Sequence, residues 1–439
     1  MKLRPVWVLI HRYTGLAMTV FLIIVGLTGS LLAFYAELEH AINPQFQVEA
    51  NGRERLRIPA LVAQAERLTP EVKAESVWLD ESSGTAQVSV SPRTNPAYNK
   101  SYELAFDQLI LNAYTGEELG RRTWGDISQG LVNLMPFIYK LHYALALDEI
   151  GMWILGITAL VWTLDCYVGF YLTLPANRKI KHQTNLYPQG KGAKSFWQRW
   201  SPAWQIKWSA STNRINFDLH RAGGLWLWLA LLVFAWSSVY MNLGDSVYKT
   251  VMKAVSEFHE PWADIDDLSQ PLDNPKMGWN DAYYRAENAL TVAADSRGIR
   301  IEQPVGLWLN RTKGFYVLSA RSSADIQDRH GNTRAVIDAD TGETLMVLFP
   351  TGQYGGNTVT SWLFALHMGN VFGYPYRVFV CVLGVAIVML SVTGVVIWLR
   401  KRRASGYRQK AAGKLAAQSV SILTDDPDYA ADSRKNNRI

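Results

Sequence analysis

Four strongly apolar blocks, near 6–36, 151–174, 222–241 and 376–399, decide what this chain can become. Each reaches about the 20 residues that a helix needs to cross the hydrocarbon core of a bilayer, so a purely soluble fold is excluded. The mean hydropathy of −0.04 hides this, because it averages the blocks against long polar stretches. With 49% hydrophobic and 19% charged residues in 439, the chain is neither collagen-like nor wholly disordered. Its two cysteines, Cys166 and Cys381, both fall inside apolar blocks, which excludes a disulfide framework and a CxxC metal motif.

Charge placement sets the topology. The connection 175–216 carries Arg178, Lys179, Lys181, Lys191, Lys194, Arg199, Lys207 and Arg214, and no Asp or Glu. Lys2 and Arg4 precede the first block, and the last runs into Arg400-Lys401-Arg402-Arg403. By the positive-inside rule these three regions are cytoplasmic, which explains the net charge of +6 without nucleic acid. The first block runs too long for a secretory signal and lacks a small-x-small cleavage site before Glu37, so it reads as a retained span. The long polar segments then lie on the far side, the periplasm in a Gram-negative cell.

The resulting plan is a first transmembrane helix over 1–36 and an external module over 37–130. An interfacial segment and second transmembrane helix follow over 131–174, then a basic cytoplasmic loop over 175–216. The third transmembrane helix covers 217–241, the second external module 242–358, and an interfacial segment with the fourth transmembrane helix 359–403. The tail 404–439 is polar and aperiodic, and is expected to be a disordered cytoplasmic segment. Both termini are cytoplasmic in this plan.

The two halves repeat one another. His11-Arg12-Tyr13-Thr14-Gly15-Leu16 opens the first span and His220-Arg221-Ala222-Gly223-Gly224-Leu225 the third, and a hydroxyl residue, Thr28 or Ser237, stands seventeen positions after each His. Leu141-His142 and Leu366-His367 precede the second and fourth spans. Aligning those spans from Gly156 and Gly384 sets Thr163 against Ser391 and Asp165 against Thr393. Outside the spans, Asn112-Ala113-Tyr114-Thr115-Gly116-Glu117 corresponds to Asp338-Ala339-Asp340-Thr341-Gly342-Glu343. Amphipathic stretches over 59–69 and 279–294, then alternating runs such as 86–90 and 315–319, predict a helix-plus-hairpin module in each half, ending in a turn that Gly closes.

Four of the eight histidines sit at repeat-equivalent positions at the ends of spans. An imidazole beside hydrocarbon is costly unless paired, so such residues point to a functional site. Two axial ligands on one metal lie about 4 Å apart, whereas His11 and His142 are separated by much of a core of about 30 Å. The pairs are therefore His11 with His220 at the cytoplasmic face and His142 with His367 at the external face. Histidine alone, without Cys or carboxylate at equivalent positions, suits haem better than zinc or an iron–sulfur cluster. Arg12 and Arg221 follow the first pair and have two readings: partners of haem propionates, or cytoplasmic anchors. Asp165 is the one carboxylate well inside a span, suited to accept from an imidazole, pair with Arg12 or relay protons. His40 and His259 have acidic neighbours, Glu39 and Glu260, and two readings, contact with a ferric substrate or, preferred for both, surface solvation; His182 and His330 read as ordinary loop residues.

Together, the two His-Arg openings, the Leu-His segments and the paired Thr-Gly-Glu turns resemble the PepSY-associated transmembrane proteins, also called iron-regulated membrane proteins, over roughly 3–403. That family includes inner-membrane ferric-siderophore reductases. The resemblance implies a four-helix membrane core with two periplasmic α+β PepSY-like modules, b-type haem on His11, His220, His142 and His367, and electron delivery to a periplasmic ferric siderophore with release of Fe(II). No GxGxxG fingerprint lies in the cytoplasmic segments, so a quinol or a separate reductase is the expected donor. Two competing readings remain: a non-enzymatic PepSY scaffold that binds or inhibits a periplasmic protease or transport component, and a transporter built on the repeat and Asp165.

Overall fold

The computed structural model describes residues 3–176 and 194–424. Much of the expected basic loop, with Arg178, Lys179, Lys181, His182 and Lys191, lies outside them. The first half runs α1 (Leu3–Leu32), α2 (Tyr35–Ile42), α3 (Ile58–Leu68), β1 (Val72–Asp80), β2 (Thr85–Pro92), β3 (Thr94–Asn95), β4 (Lys100–Ser101), β5 (Gln108–Asn112), β6 (Glu118–Arg122), α4 (Leu134–Ala144) and α5 (Asp148–Thr173). After α6 (Phe196–Trp200), the second half runs α7 (Thr212–Trp226), α8 (Trp228–Asn242), α9 (Lys249–Val255), α10 (Trp279–Asp295), β7 (Ile301–Asn310), β8 (Phe315–Ser322), β9 (Thr333–Asp338), β10 (Thr344–Leu348), α11 (Gly355–His367) and α12 (Gly373–Thr424).

Among the described residues, α1, α5 and the Gly373–Tyr407 part of α12 are long and apolar enough to cross a membrane, with a fourth span if α7 and α8 count as one. The unbroken third span expected over 217–241 needs correction. The helix stops at Leu227, just past Gly223-Gly224, a pair that weakens helical backbone. The tail expected to be disordered is also partly wrong. Residues 404–424 continue α12 through an Ala-, Lys- and Gln-rich sequence of good helix formers.

The chain divides into two compact units, one of Met1–Thr19, Tyr167–Trp228 and Val388–Ile439, the other of Val20–Cys166 and Leu229–Ile387. In the first unit, Arg4 donates to the carbonyls of Leu172 (2.6 Å) and Leu174 (3.0 Å), capping the end of α5. Trp200, Ala203 and Leu225 pack with Phe170 and Leu174. Asp218 is fully buried on α7 and is held by Arg214 (2.8 Å) and Arg221 (2.7 Å).

The second unit holds one eight-stranded sheet in the order β10-β9-β8-β7-β1-β2-β5-β6, antiparallel throughout. The sequence plan has two separate modules; the structure joins four strands from each half through β1 and β7, whose register sets Ser76 against Trp308 and Trp78 against Gly306. Each half alone would leave that edge open, and pairing removes it. α3 and α10 cover one face with a shared core that includes Leu61, Val77, Leu111, Leu290, Leu307 and Ile337. Arg311 ties the seam, donating to both carboxylate oxygens of Glu75 (2.9 and 2.7 Å) and to the Ala74 carbonyl.

The two Thr-Gly turns are alike. Asn112 and Asp338 each accept two backbone N–H bonds through Oδ1, and Gly116 and Gly342 follow at φ 74° and 78°. At the seam, the Trp78 ring lies over Gly306, where any Cβ would overlap the indole. Gly306→Val should therefore cost roughly 1–3 kcal/mol through overpacking. A thermal melt of the detergent-solubilised chain should show the lower Tm, and an unchanged Tm would contradict the seam packing.

Candidate functional site

His11 on α1 and His220 on α7 meet within the first unit, their ring centroids 6.2 Å apart and their planes inclined at 56°. His220 Nδ1 lies 2.9 Å from the Leu390 carbonyl and 3.1 Å from Thr393 Oγ1. A carbonyl only accepts, so Nδ1 carries the hydrogen and the lone pair is on Nε2. Glycines face both rings: a Cβ on Gly169 would stand 3.4 Å from His11 Cε1, and one on Gly394 3.2 Å from His220 Cε1.

His142 and His367 meet within the second unit with the same spacing, 6.2 Å between centroids, at 61°. His142 lies in the last turn of α4 and His367 ends α11, short helices outside the spans. Thr28 Oγ1 lies 2.9 Å from His142 Nδ1 and donates its own hydrogen to the Ile24 carbonyl at 2.7 Å. Ser237 Oγ lies 2.7 Å from His367 Nδ1 and donates to the Phe234 carbonyl at 3.0 Å. Each hydroxyl has one hydrogen and has spent it, so each imidazole Nδ1 must be the donor, and again Nε2 is left bare. Burial pushes both imidazoles below their ordinary pKa, which keeps them neutral. Gly29 faces His142 as the other glycines face the first pair, with Cε1 at 3.0 Å from a hypothetical Cβ, and Phe234 stacks on His367 at 4.9 Å.

Two imidazoles bound to one metal have centroids about 6.4 Å apart, given a metal–nitrogen bond of roughly 2 Å and about 1.2 Å from nitrogen to ring centre. Both pairs have that spacing. Among the described residues no group of three or more His, Cys, Asp or Glu is gathered for a metal. A metal at either pair would take its remaining ligands from a non-protein group, a requirement that a tetradentate macrocycle such as haem meets.

The second pair opens on a cavity of about 690 Å³. Near the histidines its wall is apolar, with Val25, Leu155, Trp162, Phe234, Val380 and Leu383; farther out it reaches Trp78, Asp80 and Glu81 on the sheet, and Arg329, His330 and Arg377. Sequence reasoning missed this outer wall. His330, read as an ordinary loop residue, lines the cavity with its backbone left-handed at φ 63°, and burial lowers its pKa. Such strain in a non-glycine residue concentrates at functional sites. Leu145 and Ala146, just after His142, are also left-handed, at 53° and 55°. Neither His40 nor His259 lines the cavity; His259 stacks on Tyr354 at 4.9 Å.

The arginines of the first pair differ in setting. Arg12 is half-buried beside His11, while Arg221 is engaged by Asp218 and by the Pro202 carbonyl at 2.6 Å. Asp165 is buried in α5. The alignment that set it against Thr393 is off by three residues. Gly169 and Gly394 face equivalent histidines and both stand 27 positions after the second His of their half, which sets Asp165 against Leu390.

The hydroxyl contacts carry a direct consequence. Ser237→Ala should strand a buried Nδ1–H and cost about 1–3 kcal/mol, whereas Ser237→Thr should be nearly neutral. Thermal melts of the two variants decide this, and equal losses would show that the hydroxyl is not the partner.

No curated protein matches the chain. The family described as the PepSY-associated TM region matches residues 8–401, nearly the whole length and all four paired histidines. The chain is a membrane protein that belongs to the PepSY-associated transmembrane family.

Proposed function

We propose that this protein is a haem-b-containing reductase of the bacterial inner membrane, passing electrons across the bilayer to a ferric siderophore and releasing Fe(II) for uptake. The observation that carries this reading is the pair of histidine pairs with 6.2 Å centroid spacing, with Nδ1 of His142, His220 and His367 committed to a hydrogen bond. Haem held by two neutral imidazoles supplies one-electron transfer without a change of protein ligands. On this reading His11 and His220 hold one group near the cytoplasmic face, and His142 and His367 a second near the periplasmic face. Thr28, Ser237 and the Leu390 carbonyl keep Nε2 aimed and deprotonated, and the glycines beside the rings leave room for them.

Orientation follows from charge: the basic connection and the basic end of α12 face the cytoplasm, with both termini, and the sheet faces the periplasm. The donor is a quinol or a separate reductase, and the acceptor is a ferric chelate on the sheet side. Reduction converts Fe(III), a hard acid held by oxygen donors, to Fe(II), which such donors hold weakly.

The test is an oxidised and reduced absorption spectrum of the full chain purified in detergent, with haem counted. About two low-spin haems per chain are expected, falling to about one in His142→Ala/His367→Ala and in His11→Ala/His220→Ala. A chain that stays free of haem despite ample supply during expression sinks the reductase reading and leaves a PepSY scaffold in its place.

A further inference from the structure

Arg377 sits near the start of α12 with its side chain only 10% exposed, on the wall of the cavity that holds His142 and His367. Its Nε donates to the Ala33 carbonyl at 2.9 Å, and its Nη2 pairs with Glu37. Its Nη1 has no hydrogen-bond partner among the described residues. Arg329, on the same wall, reaches the same carboxylate at 3.7 Å. Two guanidinium groups thus share one carboxylate at the edge of the cavity, where Arg329 and Glu37 are open to solvent and Arg377 is buried.

The other carboxylates of the wall make no contact with Arg377. Asp80 Oδ1 accepts from the backbone and hydroxyl of Ser82, at 2.9 and 2.6 Å. Glu81 faces Arg55 at 3.6 Å and Arg321 at 3.9 Å. None of these contacts takes up Arg377 Nη1, which is left for whatever fills the cavity. The occupant that suits this wall has a flat apolar body, reaches the imidazole pair, and carries at least one carboxylate.

We propose that Arg377 and Arg329 form a carboxylate seat that takes the propionate groups of the haem at His142 and His367, an inference that rests on the haem reading above. Planar guanidinium groups match carboxylates through paired, charge-assisted hydrogen bonds. The seat fixes which edge of the macrocycle points toward the sheet, and its positive charge favours the reduced iron by opposing the added charge of the ferric state. A fatty acid shares the apolar body and the carboxylate, so the experiment separates the two.

The experiment uses the full chain carrying His11→Ala/His220→Ala, so that only the second pair binds, stripped of haem and titrated with haem or with haem dimethyl ester, which lacks the carboxylates. With Arg377 present, esterification should weaken binding about tenfold, the scale of one charge-assisted contact. Arg377→Gln should bring the two affinities within about twofold and lower the midpoint potential of the bound haem, Arg377→Lys should restore part of the difference, and the more exposed Arg329→Gln should act less strongly. An ester penalty that persists in Arg377→Gln overturns the seat while leaving the haem reading intact. A fatty acid that displaces neither porphyrin, with the ester penalty present, supports the haem assignment; a fatty acid that binds while esterification makes no difference overturns it. No Soret band with either porphyrin overturns the haem reading and the seat together.

Discussion

The hydrogen on Nδ1 is the constraint on which the site depends. An imidazole in apolar surroundings is tolerable only if it is neutral and its N–H is satisfied. Here Thr28, Ser237 and the Leu390 carbonyl accept that hydrogen, and the first two are free to do so because their own hydrogens go to helix carbonyls one turn back. The basic nitrogen is then Nε2, on the far side of the ring from Nδ1. Helix geometry fixes the hydroxyls, the hydroxyls fix the tautomer, and the tautomer fixes where a metal can bind.

The sheet answers a different need. A helix with a few strands cannot protect both edges, and β1 and β7 are the edges left exposed in the two halves. Pairing equivalent strands antiparallel is the two-fold solution open to a duplicated sequence, in the way that isologous contacts serve a dimer. The glycine at the seam admits Trp78, whose other side faces the cavity of the second pair. The sheet therefore covers the site as well as closing its own edge.

Local chemistry made much of this legible in the sequence. The apolar blocks, the duplication, the matched histidines, the seventeen-residue spacing to Thr28 and Ser237 and the Thr-Gly turns all depend on residues near one another in the chain. What was not legible depended on contacts between distant segments: β1 with β7 across more than two hundred positions, His330 and Arg377 on one cavity wall, and Asp218 buried between two arginines. The alignment of the second and fourth spans failed because glycines at helical spacing offer several registers, and only their contact with a histidine ring selects one. The break at Leu227 escaped because hydropathy averages over a kink, although Gly223-Gly224 was the available signal.

Each pair takes one histidine from each half, so neither half alone could form either pair. A single span–module–span unit acting as a symmetric dimer would already contain both pairs, and fusion then let the halves diverge. In the register set by the histidine contacts, Arg377 faces Met152 across the repeat and Leu390 faces Asp165. The cavity at the second pair is accordingly charged from the second half's side, through Arg377 and Arg329, while the first half supplies Glu37 between them. A symmetric site would present the same charge on both sides and hold a ligand in two equivalent orientations. Divergence at a few positions around matched histidine pairs is enough to make one orientation preferred, and on the proposed haem reading a carrier with its donor on one side and its acceptor on the other would gain directly from that asymmetry.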